Sequence, residues 1–205
     1  VEGQPYFDAL SIASKYTHRI RFEIHPLKAG IIEETDTYRI EAFSLKHSTP
    51  VLGYRFVQKP QWRFNQALLD AYDLDGPRVG ELKKNGVIIH HGEQLIREKL
   101  SYQTPEKIFA YVLDTGMCET IPSLIQDANC VLMEATYLHT EQALADEFMH
   151  MTAEQTARYA RDNRVKKLVL THYSERYKDL NLYEKAVEKI FKNTHIAHDF
   201  DIINI

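Results

Sequence analysis

The chain has 205 residues, 44% of them hydrophobic, 26% charged and 11% aromatic, with a formal net charge of −4. Such a composition supports one domain with a substantial core and excludes collagen-like, low-complexity and disordered chains. No apolar run approaches the roughly 18 residues of a membrane span. An acidic balance also excludes a protein that coats nucleic acid with uniform positive charge, although local patches and bound metal ions remain open.

Taken in chain order, residues 5–16 predict a short helix with Phe7, Leu10 and Ala13 on one face. From 19 to 58 the rhythm is that of strands: Arg19–His25, Gly30–Glu34, Tyr38–Leu45 and Val51–Gln58 are short runs rich in Ile, Phe, Val and Tyr. Pro26, Thr35–Thr37 and Ser48–Pro50 separate them, which predicts an antiparallel meander. Residues 59–86 interrupt it with Pro60, Gly76-Pro77, Gly80 and Gly86, and predict a surface loop with one helical stretch near Gln66–Tyr72. Positive charge collects here, in Lys59, Arg63, Arg78, Lys83 and Lys84, with Arg55 just before them.

Beyond 107 strands and helices alternate. Strands are expected at Lys107–Leu113, Cys130–Met133 and Lys167–Thr171, and helices at Thr120–Ala128, Glu141–Met149, Thr152–Asn163 and Leu182–Phe191. Thr152-x-x-Gln155 is a capping-box signature. Ile196–Ile205 reads as a final strand. The sum is a sheet-rich first half and an α/β second half.

Two cysteines, Cys118 and Cys130, make no disulfide framework, so a reducing, cytoplasmic setting is expected. The start, Val1-Glu2-Gly3-Gln4-Pro5, has neither a basic nor an apolar leader region, and valine in first place suggests part of a longer chain.

Polar residues directly after buried strands draw attention, because α/β folds place their sites at the carboxyl ends of strands. Asp114 follows one such run, Glu134 another, His172 a third, and His47 follows Tyr38–Leu45 in the β half. An aspartate and two histidines suit zinc or manganese. By spacing alone, His47 and His172 are equally well turn residues, and Asp114 a helix cap.

Local words narrow the choice. LKHSTPVLGYRF (45–56), GPRVGELKKNG (76–86), LDTGMCE (113–119), EAT (134–136), HMTAEQTA (150–157) and LTHYSERY (170–177) occur in that order. Together, over residues 19–205, they resemble the C-terminal two-thirds of ribonuclease Z, the tRNA 3′-processing endoribonuclease of the metallo-β-lactamase superfamily. The resemblance implies an α/β fold, the C-terminal portion of a metallo-β-lactamase-like αββα sandwich, with 1–205 an incomplete domain. It makes residues 57–86 an inserted flexible arm of the kind that grips tRNA, with Gly76, Pro77, Lys83 and Lys84 as its contacts and Arg176 on phosphate.

It further implies that His47, Asp114 and His172 are metal ligands, with Asp114 bridging two zinc ions. His150 would deliver a proton to the leaving oxygen and Glu134 would orient a neighbouring group. Precursor tRNA is the implied substrate, and a homodimer the implied assembly. The family's His-x-His-x-Asp-His word is absent from the 205 residues, so this chain alone is expected to bind metal poorly and to cleave nothing. Two other readings share parts of the pattern: a related hydrolase acting on a small phosphodiester or ester, and a metal-free RNA-binding or dimerisation module.

Overall fold

The computed structural model describes residues 25–205 together with Pro5, Asp8, Ala9 and Ile12. Those four residues are helical. The rest of the helix expected over 5–16 and the strand expected over 19–25, apart from His25, lie outside the described residues.

The meander forms as the alternation requires. Strands β1 (Gly30–Glu34), β2 (Tyr38–Leu45) and β3 (Val51–Gln58) pair antiparallel, with β2 and β3 in unbroken register from Tyr38↔Gln58 to Leu45↔Val51. The chain then leaves the main sheet. It builds β4 (Trp62–Phe64), α1 (Gln66–Ala71), α2 (Gly76–Asn85), β5 (Val87–His90), β6 (Glu93–Ile96), α3 (Arg97–Leu100) and β7 (Ser101–Gln103) before returning. This excursion runs from 59 to 106, well past the end at 86 drawn from the sequence. Its outer strands pair, Trp62↔Gln103 to Phe64↔Ser101, and close it as a unit.

Nor is the excursion a loop. Leu69, Leu74, Leu82, Ile88, Leu95 and Leu100 form a core of their own, with Phe64, Tyr72 and Val79 packed against it. Gly76 and Pro77, read from the sequence as part of a surface loop, open α2 instead, where the missing proline N–H costs nothing. Gly86, with φ 78°, ends that helix in the left-handed conformation glycine adopts without strain.

The second half runs β8 (Lys107–Val112), α4 (Ile121–Ile125), β9 (Cys130–Glu134), α5 (Gln142–Phe148), α6 (Ala153–Asp162), β10 (Leu168–Thr171), α7 (Asn181–Val187) and β11 (Thr194–Ile196). Both halves share one seven-stranded sheet among the described residues, in the order β1-β2-β3-β8-β9-β10-β11. The strand expected over 196–205 is confined to Thr194–Ile196, and α7 stops at Val187, short of Phe191. Only Thr194, His195 and Ile196 have partners on β10, which itself ends at Thr171. The capping box at Thr152 and Gln155 forms in full.

Alternate strand residues face a core built with α4, α6 and α7. Val57, Ile108, Ala110, Val112, Val131, Met133, Leu168 and Leu170 meet Ile121, Leu124, Ala153, Ala157, Ala160, Tyr183 and Val187. At Gly53 a Cβ would lie 2.6 Å from Leu124 Cδ2, so only glycine lets α4 approach β3 this closely. Arg55 donates to the carbonyls of Leu124 (2.8 Å) and Gln126 (2.9 Å), closing the C-terminal end of α4.

Strand direction positions the site. β8, β9 and β10 are parallel neighbours, while β2 is antiparallel to β3 and β3 to β8. The carboxyl ends of β2, β8, β9 and β10 therefore share one edge of the sheet. His47, Asp114, Glu134 and His172 all follow or end those strands.

Candidate metal centre

Asp114, two residues past β8, and His172, one past β10, meet at that edge with Oδ1 and Nε2 2.9 Å apart. His150 joins them, and one ligand atom from each of the three lies within 4.8 Å of the others, the one such group found among the described residues. Asp114 (φ 51°), His172 (φ 60°) and Met149 (φ 56°) are all left-handed. Each such residue costs roughly 1 kcal/mol, and strain of this kind gathers at functional sites. His47 is not in the group of three. Its ring stands beside that of His150, centroids 5.1 Å apart, and its Nδ1 lies 3.3 Å from the Met149 carbonyl.

Behind the group lies Glu134, fully buried at the end of β9. Its carboxylate accepts from the Thr115 and Met151 amides, from the Thr136 hydroxyl at 2.8 Å and from His150 Nδ1 at 3.1 Å. A buried charge with this many donors is satisfied where an unpaired one would be ejected. Thr136 Oγ1 also stands 2.9 Å from His172 Nδ1. The single hydroxyl proton goes to Glu134, so His172 Nδ1 must be the donor to Thr136.

The same logic applies three times. His150 Nδ1 faces a carboxylate, His172 Nδ1 a hydroxyl already committed, and His47 Nδ1 a carbonyl. Each therefore carries a proton on Nδ1 and turns Nε2 toward the site; His172 Nε2, 2.9 Å from Asp114 Oδ1, donates to that carboxylate until a metal displaces its proton. Histidines held through one nitrogen by a carboxylate, hydroxyl or carbonyl and presenting the other are arranged as metal ligands are.

The donor set fits a divalent cation. Four-coordinate zinc at about 2.0–2.2 Å from each ligand needs donors about 3.3–3.6 Å apart. The Asp114–His172 contact would have to open by only about half an ångström. The Glu134 carboxylate bonded to Nδ1 holds the His150 imidazole above its ordinary pKa; partial burial opposes this, and the charges of Glu134 and Asp114 add to it.

Arg176 is exposed, bonded through Nε to Ser174 Oγ at 3.2 Å, with its guanidinium 5.2 Å from the Tyr137 ring centroid. The Tyr137 ring in turn lies 6.3 Å from that of His150, so Arg176 is one aromatic ring removed from the group. Gly76-Pro77 and Lys83-Lys84 stand at opposite ends of α2 in the excursion, outside the group. Sequence reasoning gave no role to Thr136, Thr115 or Tyr137. The word EAT contained the first of these, and its signal was a hydroxyl two residues beyond a buried carboxylate.

No family model matches the chain. Curated proteins do: it is 36% identical over 191 residues to a protein named ribonuclease Z of Nocardia farcinica, covering 92% of this chain and 63% of that protein. It is 34% identical over 199 residues to a ribonuclease Z of Protochlamydia amoebophila, covering 96% of this chain and 65% of that one. The chain thus spans a little under two thirds of these relatives. Among solved structures it resembles the short form of human tRNase Z (TM-score 0.52, 20% identity, covering 85% of this chain and 45% of that one). It also resembles a diphosphatase of the PhnP family (TM-score 0.51, 15% identity, covering 96% and 53%).

Proposed function

Because this chain is a homologue of ribonuclease Z and has the metallo-β-lactamase fold, we propose that it is the larger part of a zinc-dependent endoribonuclease that processes the 3′ end of precursor tRNA. The observation that carries the proposal is the meeting of Asp114, His150 and His172 at the ends of the sheet, with each imidazole's Nδ1 already occupied as a donor.

In this reading Asp114 and His172 hold zinc, with His47 as a further ligand beside them. Bound zinc supplies Lewis acidity toward a phosphate oxygen and hydroxide at neutral pH. Glu134 fixes the His150 ring and favours its protonated form. His150 then stands as the acid that protonates the departing ribose oxygen, a role that needs a pKa near the working pH. The place of His150 within the group of three favours a second reading, in which it is a ligand itself. Zinc content separates the two: His150→Ala keeps its metal if His150 is the acid and loses it if His150 is a ligand.

Arg176 is assigned to phosphate, which suits its planar fork. The excursion, with Gly76, Pro77, Lys83 and Lys84, is assigned to the tRNA body, where basic side chains make contacts that do not depend on sequence. A homodimer and a cytoplasmic location belong to the same reading. No described helix is long and apolar enough to cross a membrane. The likeness to a diphosphatase supports one alternative, a related enzyme acting on a smaller phosphoester.

The test is Asp114→Ala in a polypeptide spanning the full length of the relatives. Pre-tRNA cleavage should fall by about a hundred- to a thousandfold, as expected when a group stabilising the transition state is removed, with folding retained by circular dichroism. Full activity would refute the assignment.

A further inference from the structure

Away from the metal centre, a cavity of about 490 Å³ opens where β2 begins, β3 ends and the excursion rises from the sheet. Its volume falls in the range of roughly 300–1,000 Å³ typical of ligand pockets. Tyr38 and Phe56 line it as a stacked pair, ring centroids 5.6 Å apart and planes 19° from parallel, and Trp62 stands on the excursion side. Phe56 keeps 40% of its surface exposed, which is unusual for a phenylalanine in a sheet.

Arg63 and Lys83 complete the wall, and neither side chain has an ion-pair partner among the described residues. Lys59 nearby, by contrast, is held by Glu34 at 2.7 Å. Among the described residues no acidic side chain lines the cavity, although the chain as a whole carries −4. Aromatic faces beside unpaired cations match a ligand with a flat ring at one end and a phosphate at the other.

We propose that this cavity binds a nucleotide, its base against Tyr38, Phe56 and Trp62 and its phosphate against Arg63 and Lys83. The ligand is either a free mononucleotide or an unpaired residue of bound RNA; the second source rests on the function proposed above. No residue of the metal centre takes part.

Trp62 is the single tryptophan of the chain, so its fluorescence reports the site directly. The chain would be titrated with adenosine 5′-monophosphate, with single-stranded hexa-adenylate, and with adenosine and ribose 5-phosphate as half-ligands. Saturable quenching is expected, stronger for ligands carrying both base and phosphate, and weakened about tenfold by Phe56→Ala, by Arg63→Ala and by Lys83→Ala. Arg63 and Lys83 are exposed, so their variants leave the core intact even if Phe56→Ala does not fold. Equal affinity for the mononucleotide and the hexamer would mark a free nucleotide as the ligand; response to the hexamer alone would mark RNA.

Asp114→Ala should bind unchanged. No saturable response to either nucleotide up to about 10 mM, or a response indifferent to the Arg63 and Lys83 changes, overturns the inference. Cleavage that depends on Asp114 would then still stand by itself.

Discussion

At the scale of single residues, Glu134 organises the centre without belonging to the group that can hold metal. It is buried, carries a charge, and uses it to fix His150 directly and His172 through Thr136. A histidine whose pKa is raised on folding stabilises the fold fully below its unfolded value, near 6.5. It loses that contribution as pH rises through the folded value. The metal-free chain should therefore show His150 titrating above about 6.5 by NMR, and Glu134→Gln should bring it down. An unchanged midpoint in that variant would show that the carboxylate is not what holds the proton. Asp114, Glu134 and His172 were legible in the sequence because each follows or ends a buried run. Thr136 and the left-handed backbone at Asp114 and His172 were not, since a bridging hydroxyl and a sign of φ depend on neighbours brought together only by the fold.

At the scale of elements, the excursion is where sequence and structure part. Prolines and glycines at 60, 76, 77, 80 and 86 suggest a loop, yet Gly76 and Pro77 open a helix, Gly80 lies within it and Gly86 ends it, beside six buried aliphatic side chains. Its periodicity was hard to read because each element is only three to ten residues long. Leu82 is completely buried there, so Leu82→Ala should cost about 2–5 kcal/mol. Hydrogen exchange should place that loss in residues 59–106 and leave β8–β10 protected; uniform loss across the chain would mean the excursion has no core of its own. A clean deletion follows from the register. Gln58 pairs with Lys107, so removing 60–105 and joining the ends by a tight turn preserves the β3–β8 ladder, whereas ending the cut at 84 would leave half a core behind. In a full-length polypeptide that deletion should spare hydrolysis of a bis-nitrophenyl phosphodiester and abolish pre-tRNA processing. Retained processing would favour the small-phosphoester reading.

At the scale of the molecule, one sheet joins an antiparallel meander to a parallel α/β half, and the polarity of its strands brings four distant segments to one edge. The strand rhythm made both halves legible, with β1, β2 and β3 read to the residue. The order of strands was not legible from periodicity, because pairing between β3 and β8 skips 48 residues of excursion (59–106). The proposed chemistry rests most on Asp114 and His172, already in contact at 2.9 Å, holding one metal ion with His150 beside it. Adding zinc to the ¹⁵N-histidine-labelled chain, up to millimolar concentration, tests this directly. His172 should carry a proton on Nε2 before zinc and lose it to the metal, with a large Nε2 shift that is absent in Asp114→Ala. A His172 Nε2 resonance that ignores zinc, or responds equally without Asp114, would contradict it.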